Sequence, residues 1–366
     1  MAICLMILLT GACSRPEAET PEYHLSSFQL PLSDRTINMS GRLFLNESEE
    51  YVLITDPAER AIVKQVFYRT DSTKILIRKG RGPNEYTNAQ LCGIEPNGDF
   101  CLMSGTLRKI YRHARDGSPI RHVDMETYFV SAVGLKDRYI SYGDFSVSDN
   151  TMYTISDASG RTICRFGAYP DDGVPADFVY KTIAYQGRLV ANDARSRFAL
   201  LISRGEAFDI YEIRKDSIPV RIASSRKELL SYRPMEGAIG VDYDECKNGY
   251  LDACASERFI YALYSGKKPA GETLPDIYKS LQSNMIRLYD WDGNLRANLI
   301  TDIELLNLCV SADDSLMIGL YNDEGIFRLC TFDIGEVIRQ IAAAPNNRQL
   351  SKTDDRNVSW DGTGPA

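Results

Sequence analysis

Residues 255–266, ASERFIYALYSG, begin with a polar turn and continue into a short run of almost entirely apolar side chains. Five other segments repeat this order of a polar turn, an aromatic residue or leucine, and an apolar run. They are NESEEYVLITD at 46–56, EPNGDFCLMSG at 95–105, LKDRYISYGD at 135–144, DARSRFALLIS at 193–203 and ADDSLMIGLYND at 312–323. Such runs predict strands buried on both faces, because a half-exposed strand would alternate apolar and polar residues.

Each apolar run is followed by a second unit, in which two strand-like stretches flank a tight turn. The six copies are VFYRTDSTKILIRKG at 66–80, IYRHARDGSPIRHV at 110–123, YTISDASGRTICRFG at 153–167, IYEIRKDSIPVRIA at 210–223, IRLYDWDGNLRANLI at 286–300 and FRLCTFDIGEVIRQ at 327–340. The pairs Asp116-Gly117 and Asp292-Gly293 are strong signals for two-residue hairpin turns, since both residue types accept a positive φ. The pattern therefore predicts six pairs of antiparallel strands.

The two units together form a four-stranded meander that recurs six times, at the length of roughly 40 to 60 residues that propeller blades have. This predicts an all-β chain folded as a six-bladed β-propeller of four-stranded antiparallel blades. A pair of β-sandwiches would not repeat six times, and the rungs of a β-helix are much shorter. The stretch YHLSSFQLPL at 23–32 precedes the first unit, and we expect it to supply a missing strand to the last blade and close the ring.

The first thirteen residues, MAICLMILLTGAC, contain an apolar stretch followed by small residues and Cys13. The stretch is too short to span a bilayer, which takes about 20 residues, and is typical of a bacterial secretion signal. Small residues directly before a cysteine resemble a lipobox, so we expect Cys13 to be acylated; an ordinary cleaved signal is the alternative. The predicted organisation is a signal at 1–13, an acidic tether at 14–22, the propeller at 23–341, and a disordered tail at 342–366.

Charge and cysteine content exclude some classes of partner. The formal net charge of -8 argues against a nucleic acid, which would require a clustered basic face. No Cys-x-x-Cys pair occurs, so the spacing of a zinc site is absent. Cys92 with Cys101, and Cys246 with Cys254, flank turns and could form disulfides in an oxidising compartment; the alternative is that they are small apolar residues buried in strands.

The strand order of an up-and-down blade fixes the face on which each connection lies. Turns from the first to the second strand and from the third to the fourth share one face, and all of them are short here. The other face receives every long connection: 80–89, 167–185, 224–241 and 266–284. We call it the long-loop face and expect it to bind ligands around the mouth of the central channel. Tyr232, in the third of these connections, is a candidate ligand-binding residue.

The stretch RKGRGPNEYTNAQ at 78–90 opens the first long connection. It lacks the third glycine and following helix of a dinucleotide-binding loop, and the Gly-Lys-Ser/Thr of a P-loop. We therefore interpret it as a structural corner in which the glycines supply positive φ angles, Pro83 fixes the turn, and Glu85 accepts hydrogen bonds from backbone amides or Arg81. The structural motif residues are Gly80, Gly82, Pro83 and Glu85, and the candidate ligand-binding residues are Arg81, Asn84 and Tyr86.

This corner, together with LYDWDGN at 288–294 and the lipobox-like start, resembles the TolB-like six-bladed propeller lipoproteins of Bacteroidota, which are related to NHL-repeat propellers. In that family a GxGPxE[FY] element leads from one blade into the next, and residues 80–86 match it. The resemblance covers about residues 23–341 and implies the propeller fold and an envelope location, but no reaction.

Signals for catalysis or a cofactor are weak. G-x-S-x-G and H-E-x-x-H are absent, and of three histidines His113 and His122 are expected on exposed outer strands, so we predict no catalytic residues and no metal. Asp242, Asp244 and Glu245 do not fit an EF-hand loop, since Cys246 occupies its fifth position, which requires Asp or Asn, and Lys247 its sixth, which requires glycine. We expect no cofactor.

Two classes of function are compatible with these features. The first is a lipid-anchored, non-enzymatic propeller at the outer membrane, facing the periplasm or the outside, that binds an envelope protein, peptide or glycan on its long-loop face. The alternative is a divalent-metal-dependent hydrolase or lyase with a carboxylate site at the channel mouth.

Overall fold

The computed structural model describes residues 20–33, 37, 42–135, 137–146, 149–175, 177–214, 218–242, 245–269 and 279–345. Six small antiparallel sheets, each of four meandering strands, follow one another along these residues. The predicted six-bladed, all-β propeller is confirmed.

Three blades form the first half of the ring. Blade 1 contains β3 (Leu43–Asn46), β4 (Tyr51–Asp56), β5 (Ala61–Phe67) and β6 (Ser72–Lys79), extended by β7 (Glu85–Tyr86); blade 2 contains β8 (Gln90–Ile94), β9 (Phe100–Ser104), β10 (Lys109–His113) and β11 (Pro119–Asp124); blade 3 contains β12 (Ser131–Gly134), β13 (Arg138–Tyr142), β14 (Thr151–Asp157) and β15 (Thr162–Ala168).

Three further blades complete the ring. Blade 4 contains β16 (Gly187–Ala191), β17 (Arg197–Ile202), β18 (Glu206–Glu212) and β19 (Val220–Glu228); blade 5 contains β22 (Tyr250–Ala255), β23 (Phe259–Tyr264), β24 (Ser283–Asp290) and β25 (Leu295–Leu305), joined by β1 (Glu22–Leu25); blade 6 contains β26 (Asn307–Val310), β27 (Leu316–Asp323), β28 (Ile326–Asp333) and β2 (Phe28–Gln29). The remaining elements are a 3-10 turn (Pro57–Glu59), the helices α1 (Phe178–Ala184) and α2 (Gly335–Ala343), and the hairpin of β20 (Tyr232–Met235) and β21 (Ala238–Val241).

The second strand of each blade is buried because it is covered by the blades on either side. In β23 every residue is buried. Its odd-numbered side chains, Phe259, Tyr261 and Leu263, pack in one core cluster with blade 6, and Ile260 and Ala262 pack in another with blade 4. Each large side chain buried in this way contributes about 1.5–3 kcal/mol, so the face-to-face stacking of blades explains the apolar runs in the sequence.

The ring closes through the N-terminal segment, as expected. Strand β2 pairs antiparallel with β28, with Phe28 opposite Thr331 and Gln29 opposite Cys330, and is the outer strand of blade 6. The preceding β1 pairs in parallel with β25 at the outer edge of blade 5. The sixth hairpin predicted at 327–340 is wrong, because the chain after β28 forms helix α2, whose Ile338 and Ile341 are buried against blades 5 and 6.

The Asp-Gly hairpins have three-residue loops instead of the predicted two. In the β24–β25 turn, Asp290 N donates to Asn294 O and Gly293 N donates to Asp290 O, both at 3.0 Å. Gly293 has a φ of 84°. This is a type I turn followed by a glycine bulge. Asp292 is exposed, and the carboxylate that organises the turn is that of Asp290, which accepts from the amides of Asp292 and Asn294.

The channel is surrounded by the first strand of every blade. Strands β3, β8, β12, β16, β22 and β26 contact one another in that order around the ring, and each runs from the long-loop face to the face of short turns. The long connections on the long-loop face run over 80–89, 169–186, 229–249 and 265–282. Among their described residues, the first contains β7, the second contains α1 and the third contains the β20–β21 hairpin, none of which the sequence pattern predicted.

Some predictions concern residues outside the described part of the chain: the signal and Cys13, most of the tether, and most of the tail. No helix among the described residues is long and apolar enough to cross a membrane. The seven cysteines in the described part are free thiols, so neither proposed disulfide is present and the alternative of buried apolar residues fits better.

Candidate functional site on the long-loop face

The long-loop face exposes a group of large apolar side chains. Leu107, Tyr128 and Phe145 are each more than 40% exposed and lie in three connections on this face, at 105–108, 125–130 and 143–150. The guanidinium of Arg108 lies 5.2 Å from the centre of the Tyr128 ring. We call these three apolar residues the apolar patch. Exposed apolar side chains on neighbouring connections are typical of interaction sites.

The connections that carry the apolar patch pack closely together. Arg108 donates from Nη1 to Glu126 O at 3.2 Å, joining the first connection to the second. Gly105 lies so close to Phe129 that an added Cβ would overlap the Phe129 carbonyl oxygen, and a Cβ at Gly143 would lie 2.7 Å from Val130 Cγ2. The patch therefore lies on one continuous surface above blades 2 and 3.

The predicted corner at 80–86 is organised by the Glu85 carboxylate. Glu85 Oε2 accepts from the Gly82 amide at 2.9 Å. A Cβ on Gly80 would overlap Glu85 Oε2, and one on Gly82 would lie 3.1 Å from it. The expectation that these glycines supply positive φ angles is wrong, since the positive φ belongs to Asn84, at 57°. Gly80 and Gly82 are needed for their size, and Asn84 for its backbone conformation.

The corner lies at the rim of the propeller and not at the channel mouth. Strand β7 pairs with β6 on the outer edge of blade 1, and this places Arg81, Pro83 and Asn84 at the periphery, where all three are exposed. Tyr86 is half-buried between blades 1 and 2, with its ring centre 4.5 Å from that of Tyr111. The predicted location of these residues at the channel mouth is therefore wrong, because the pairing of β7 with the outer strand β6 holds them away from the channel.

His113 is buried, contrary to the prediction of an exposed outer-strand histidine. It lies at the end of β10, the third strand of blade 2, and stacks on Phe100 with ring centres 5.4 Å apart. Its Nδ1 is 3.0 Å from Gly117 O and its Nε2 is 3.0 Å from the Tyr86 hydroxyl. Burial lowers the pKa of His113, so the neutral ring serves packing between blades. His122 is exposed on β11, as predicted.

Tyr232 is also structural, because its hydroxyl is directed into the protein. It donates to Asp172 Oδ2 at 3.0 Å, and the Tyr185 hydroxyl donates to the same oxygen at 2.8 Å. Lys181 Nζ donates to Asp172 Oδ1 at 2.8 Å. The Asp172 side chain is only 2% exposed. We call these four residues the Asp172 cluster; it ties α1 and the 169–186 connection to the β20–β21 hairpin.

Protonation in the Asp172 cluster follows from these contacts. Burial raises the pKa of Asp172, but the hydrogen bonds from Lys181, Tyr185 and Tyr232 outweigh it and leave that pKa below its usual value. Burial and the neighbouring carboxylate raise the pKa of Tyr185 and Tyr232. Hydrogen-bond donors thus keep the Asp172 carboxylate ionised. Lys181, Tyr185 and Tyr232 direct their polar groups to this carboxylate and not to an outside ligand.

Charged side chains from three blades meet at the channel mouth. Arg42 directly precedes β3 of blade 1, Arg188 is in β16 of blade 4, and Asp252 is in β22 of blade 5. Asp252 Oδ1 lies 3.3 Å from Arg188 Nε and 3.9 Å from Arg42 Nε. Since blades 1 and 4 are opposite one another in a ring of six, the two guanidinium groups meet across the channel. We call these three residues the mouth triad.

The carboxylate of the triad is buried and anchored. Its side chain is 2% exposed, and Oδ2 accepts from Asn307 Nδ2 and from the Leu308 amide, each at 3.2 Å. Burial and the charge of Arg188 lower the pKa of Arg42, and Asp252 opposes that shift. Sequence reasoning missed the triad because its members are spread over three repeats and belong to no local motif.

The described residues offer little for a metal ion. No group of three or more His, Cys, Asp or Glu among them is arranged to bind one. The carboxylate at the mouth faces two arginines, whose charge would repel a divalent cation. Asp242 and Glu245 belong to the described part of the acidic stretch, whereas Asp244 lies outside it.

The fold and the site together define the class of this protein. It is a six-bladed propeller in which the long connections, an apolar patch and a charged channel mouth all lie on one face. The chain belongs to the TolB-like six-blade propeller family, since the family model described as "TolB-like 6-blade propeller-like" matches residues 68–313 of the 366.

Solved structures with the same fold include two from Bacteroides. A member of the duf4221 family from Bacteroides vulgatus is 12% identical, with a TM-score of 0.52, and the match covers 86% of this chain and 97% of that one. An exported protein of Bacteroides fragilis is 13% identical, with a TM-score of 0.51, covering 85% of this chain and 98% of that one. At these identities the likeness shows the fold alone.

A gluconolactonase from Xanthomonas campestris is less similar, at 10% identity and a TM-score of 0.48 over 81% of this chain and 88% of that one. This match supports no conclusion about activity. No curated protein sequence matches the chain significantly.

Proposed function

We propose that this chain is a lipid-anchored, non-enzymatic propeller of the cell envelope that binds a protein, peptide or glycan partner on its long-loop face. The observation that carries the proposal is the asymmetry of the two faces. Between the described strands, the turns of the opposite face are short, whereas the long connections and the apolar patch lie on the long-loop face. Aromatic and apolar side chains next to an arginine are typical of partner recognition.

A protein or peptide suits the apolar patch best among these partners. Leu107 and Phe145 offer no polar atoms for the hydroxyl groups of a sugar, and burying them against a partner would remove a large apolar area from water. Arg108, beside Tyr128, supplies a charged edge to the same surface. The metal-dependent alternative is less favoured, because the only carboxylate of the mouth triad is engaged by two arginines and by Asn307.

The surface is tested with the triple variant Leu107→Ser, Tyr128→Ser, Phe145→Ser. We expect at least tenfold weaker capture of the specific envelope partner in a quantitative pull-down, since each anchor side chain truncated in an interface costs about 1–2 kcal/mol. The matched control is Ile120→Ser, Ile163→Ser, Val220→Ser, which removes apolar side chains exposed on outer strands. Equal capture by the patch variant and the wild type would show that the partner binds elsewhere.

The anchor is tested with Cys13→Ser. Acylation of the cysteine is expected to hold the chain in the membrane fraction, so the variant is expected in the soluble fraction after cell lysis, and the acyl group is expected to be missing by mass spectrometry. Retention of the variant in the detergent-soluble membrane fraction would contradict the lipid anchor without affecting the proposed partner surface.

A further inference from the structure

We infer that the mouth triad is a binding site for a ligand carboxylate, which the guanidinium groups of Arg42 and Arg188 hold between them. The inference does not rest on the apolar patch or on a protein partner. It assigns a second, chemically different site to the same face, at the centre of the ring.

The charge balance of the mouth favours an anion. The charged residues of the six inner strands are Arg188 and Asp252, and Arg42 stands directly before the first of those strands. One carboxylate therefore faces two guanidinium groups, and one positive charge remains uncompensated within the triad. Because these side chains are partly shielded from water, the attraction of a further anion is stronger than it would be on the open surface.

Within the described part of the chain, both arginines have hydrogen-bond donors for which no acceptor is found. Arg188 uses its Nε to donate to Leu251 O at 3.0 Å and to approach Asp252. Arg42 approaches Asp252 through Nε at 3.9 Å, a distance too long for a hydrogen bond. The terminal amino groups of both side chains make no hydrogen bond to the described residues. The side chains of Arg42 and Arg188 are 21% and 33% exposed, respectively.

The geometry selects a carboxylate. A guanidinium presents two parallel N–H groups that match the two oxygens of a carboxylate, and such a pair is stronger than a single hydrogen bond. Arg42 and Arg188 come from opposite blades, so a ligand carboxylate between them would receive donors from both sides of the channel. Asp252 is held by Asn307 and the Leu308 amide, and it positions the two arginines without satisfying all their donors.

The test measures binding of glucuronate to the purified full chain by isothermal titration at constant ionic strength, with glucose and inorganic phosphate as comparison probes. We expect glucuronate to bind and glucose not to bind. Arg42→Gln and Arg188→Gln are each expected to weaken glucuronate binding at least tenfold. The matched control is Arg81→Gln, which removes an exposed arginine of the rim and is expected to leave binding unchanged.

A variant that gains affinity separates binding from a purely structural role. Asp252→Asn removes the competing carboxylate, so glucuronate is expected to bind at least threefold more tightly. If Arg42→Gln fails to fold, Arg42→Lys keeps the charge, removes the planar fork, and is expected to fold and to bind glucuronate more weakly.

Three results would overturn the inference. They are the absence of glucuronate binding to the wild type, unchanged binding in the Arg42 and Arg188 variants, and binding of phosphate with no binding of glucuronate. A fourth, weaker or unchanged glucuronate binding in the Asp252 variant, would contradict the claim that Asp252 competes with the ligand for the two guanidinium groups. None of these results bears on the apolar patch, whose variants are measured separately.

Discussion

At the corner between blades 1 and 2, the Glu85 side chain leaves no room for a side chain at position 80 and little room for one at position 82. Its carboxylate accepts from the Gly82 amide and occupies the space into which a Gly80 side chain would project. Gly80 has no positive φ, so the reason for glycine at this position is contact alone. The contact gives the GxGPxE pattern a physical meaning, because the first glycine and the glutamate are needed together.

A double-mutant cycle tests this dependence. Gly80→Ala is expected to lower the free energy of unfolding by about 2 kcal/mol in the wild type, because the added methyl displaces the carboxylate, and by less than about 0.5 kcal/mol in the Glu85→Ala background. The measurement is urea unfolding followed by circular dichroism. Gly93→Ala is the control, since no atom lies within 4 Å of a Cβ there. Equal costs in the two backgrounds would contradict the assignment.

The sequence predicted the corner but not the role of each residue in it. Glycine spacing and proline are visible locally, so the turn was predictable. The positive φ of Asn84 and the contact of Glu85 with Gly80 depend on the path of the loop, which no local pattern specifies. Tyr86 and Tyr232 were predicted to bind a ligand, but the hydroxyl groups of both are directed into the protein, toward His113 and Asp172 respectively.

At the scale of elements, the Asp172 cluster fixes two connections that would otherwise be independent. Helix α1 has seven residues, too few to be stable alone. It is held because Lys181 and Tyr185, on the helix and at its end, donate to Asp172, and Tyr232 from the next long connection donates to the same carboxylate. The cluster therefore gives the long-loop face a fixed shape above blades 3 and 4.

The stability that the cluster provides depends on pH. The folded pKa of Asp172 is lowered, so its contribution is complete above the unfolded value of about 4 and is lost as the pH falls through the folded value. Asp172→Asn is expected to cost about 2–4 kcal/mol at pH 7, and the difference from the wild type is expected to shrink toward pH 3.

The comparison for Asp172→Asn is Asp171→Asn, which changes an exposed carboxylate next to it in the chain. Thermal unfolding of both variants between pH 3 and 8 is the measurement. A cost for Asp172→Asn that does not change with pH would mean that the carboxylate is not ionised in the folded protein.

The strands within each blade were predictable because their apolar runs are local and repeat six times. The last unit was wrong because DIGEVIRQ was interpreted as a strand. Ile334, Ile338 and Ile341 are spaced by four and three residues, the period of a helix, and all three are buried in α2 or at its start. That signal was present in the sequence.

At the scale of the whole molecule, the ring is held closed by a strand from the opposite end of the chain. Phe28 lies opposite Thr331, so this contact joins residues about 300 positions apart, whereas most strand pairs join close neighbours. The mouth triad has the same property, since it unites blades 1, 4 and 5. Such contacts appear only when the ring is complete, and for that reason no local pattern in the sequence indicates them.

A cross-link tests the closure. The pair Phe28→Cys, Thr331→Cys is expected to form a disulfide on oxidation, because opposite residues of antiparallel strands have suitable Cα separations. It is expected to stabilise the fold by about 3 kcal/mol more than the pair Gln65→Cys, Lys74→Cys, which joins opposite residues within blade 1 and closes a far shorter loop. The measurement is the unfolding midpoint with and without reductant. Failure of the first pair to oxidise would contradict the pairing of β2 with β28.

The pairing of β1 with β25 and of β2 with β28 also determines how the molecule bears mechanical load. With Cys13 acylated, as proposed, the chain between the lipid and Glu22 reaches at most about 30 Å, so the propeller stays close to the bilayer. Tension between the membrane and a bound partner would pass through the β1–β25 and β2–β28 hydrogen bonds before it reached any other part of the ring. In the proposed lipid-anchored form, the N-terminal segment that closes the propeller would also be the segment that tethers it, and a strong enough pull would open the ring at that point first.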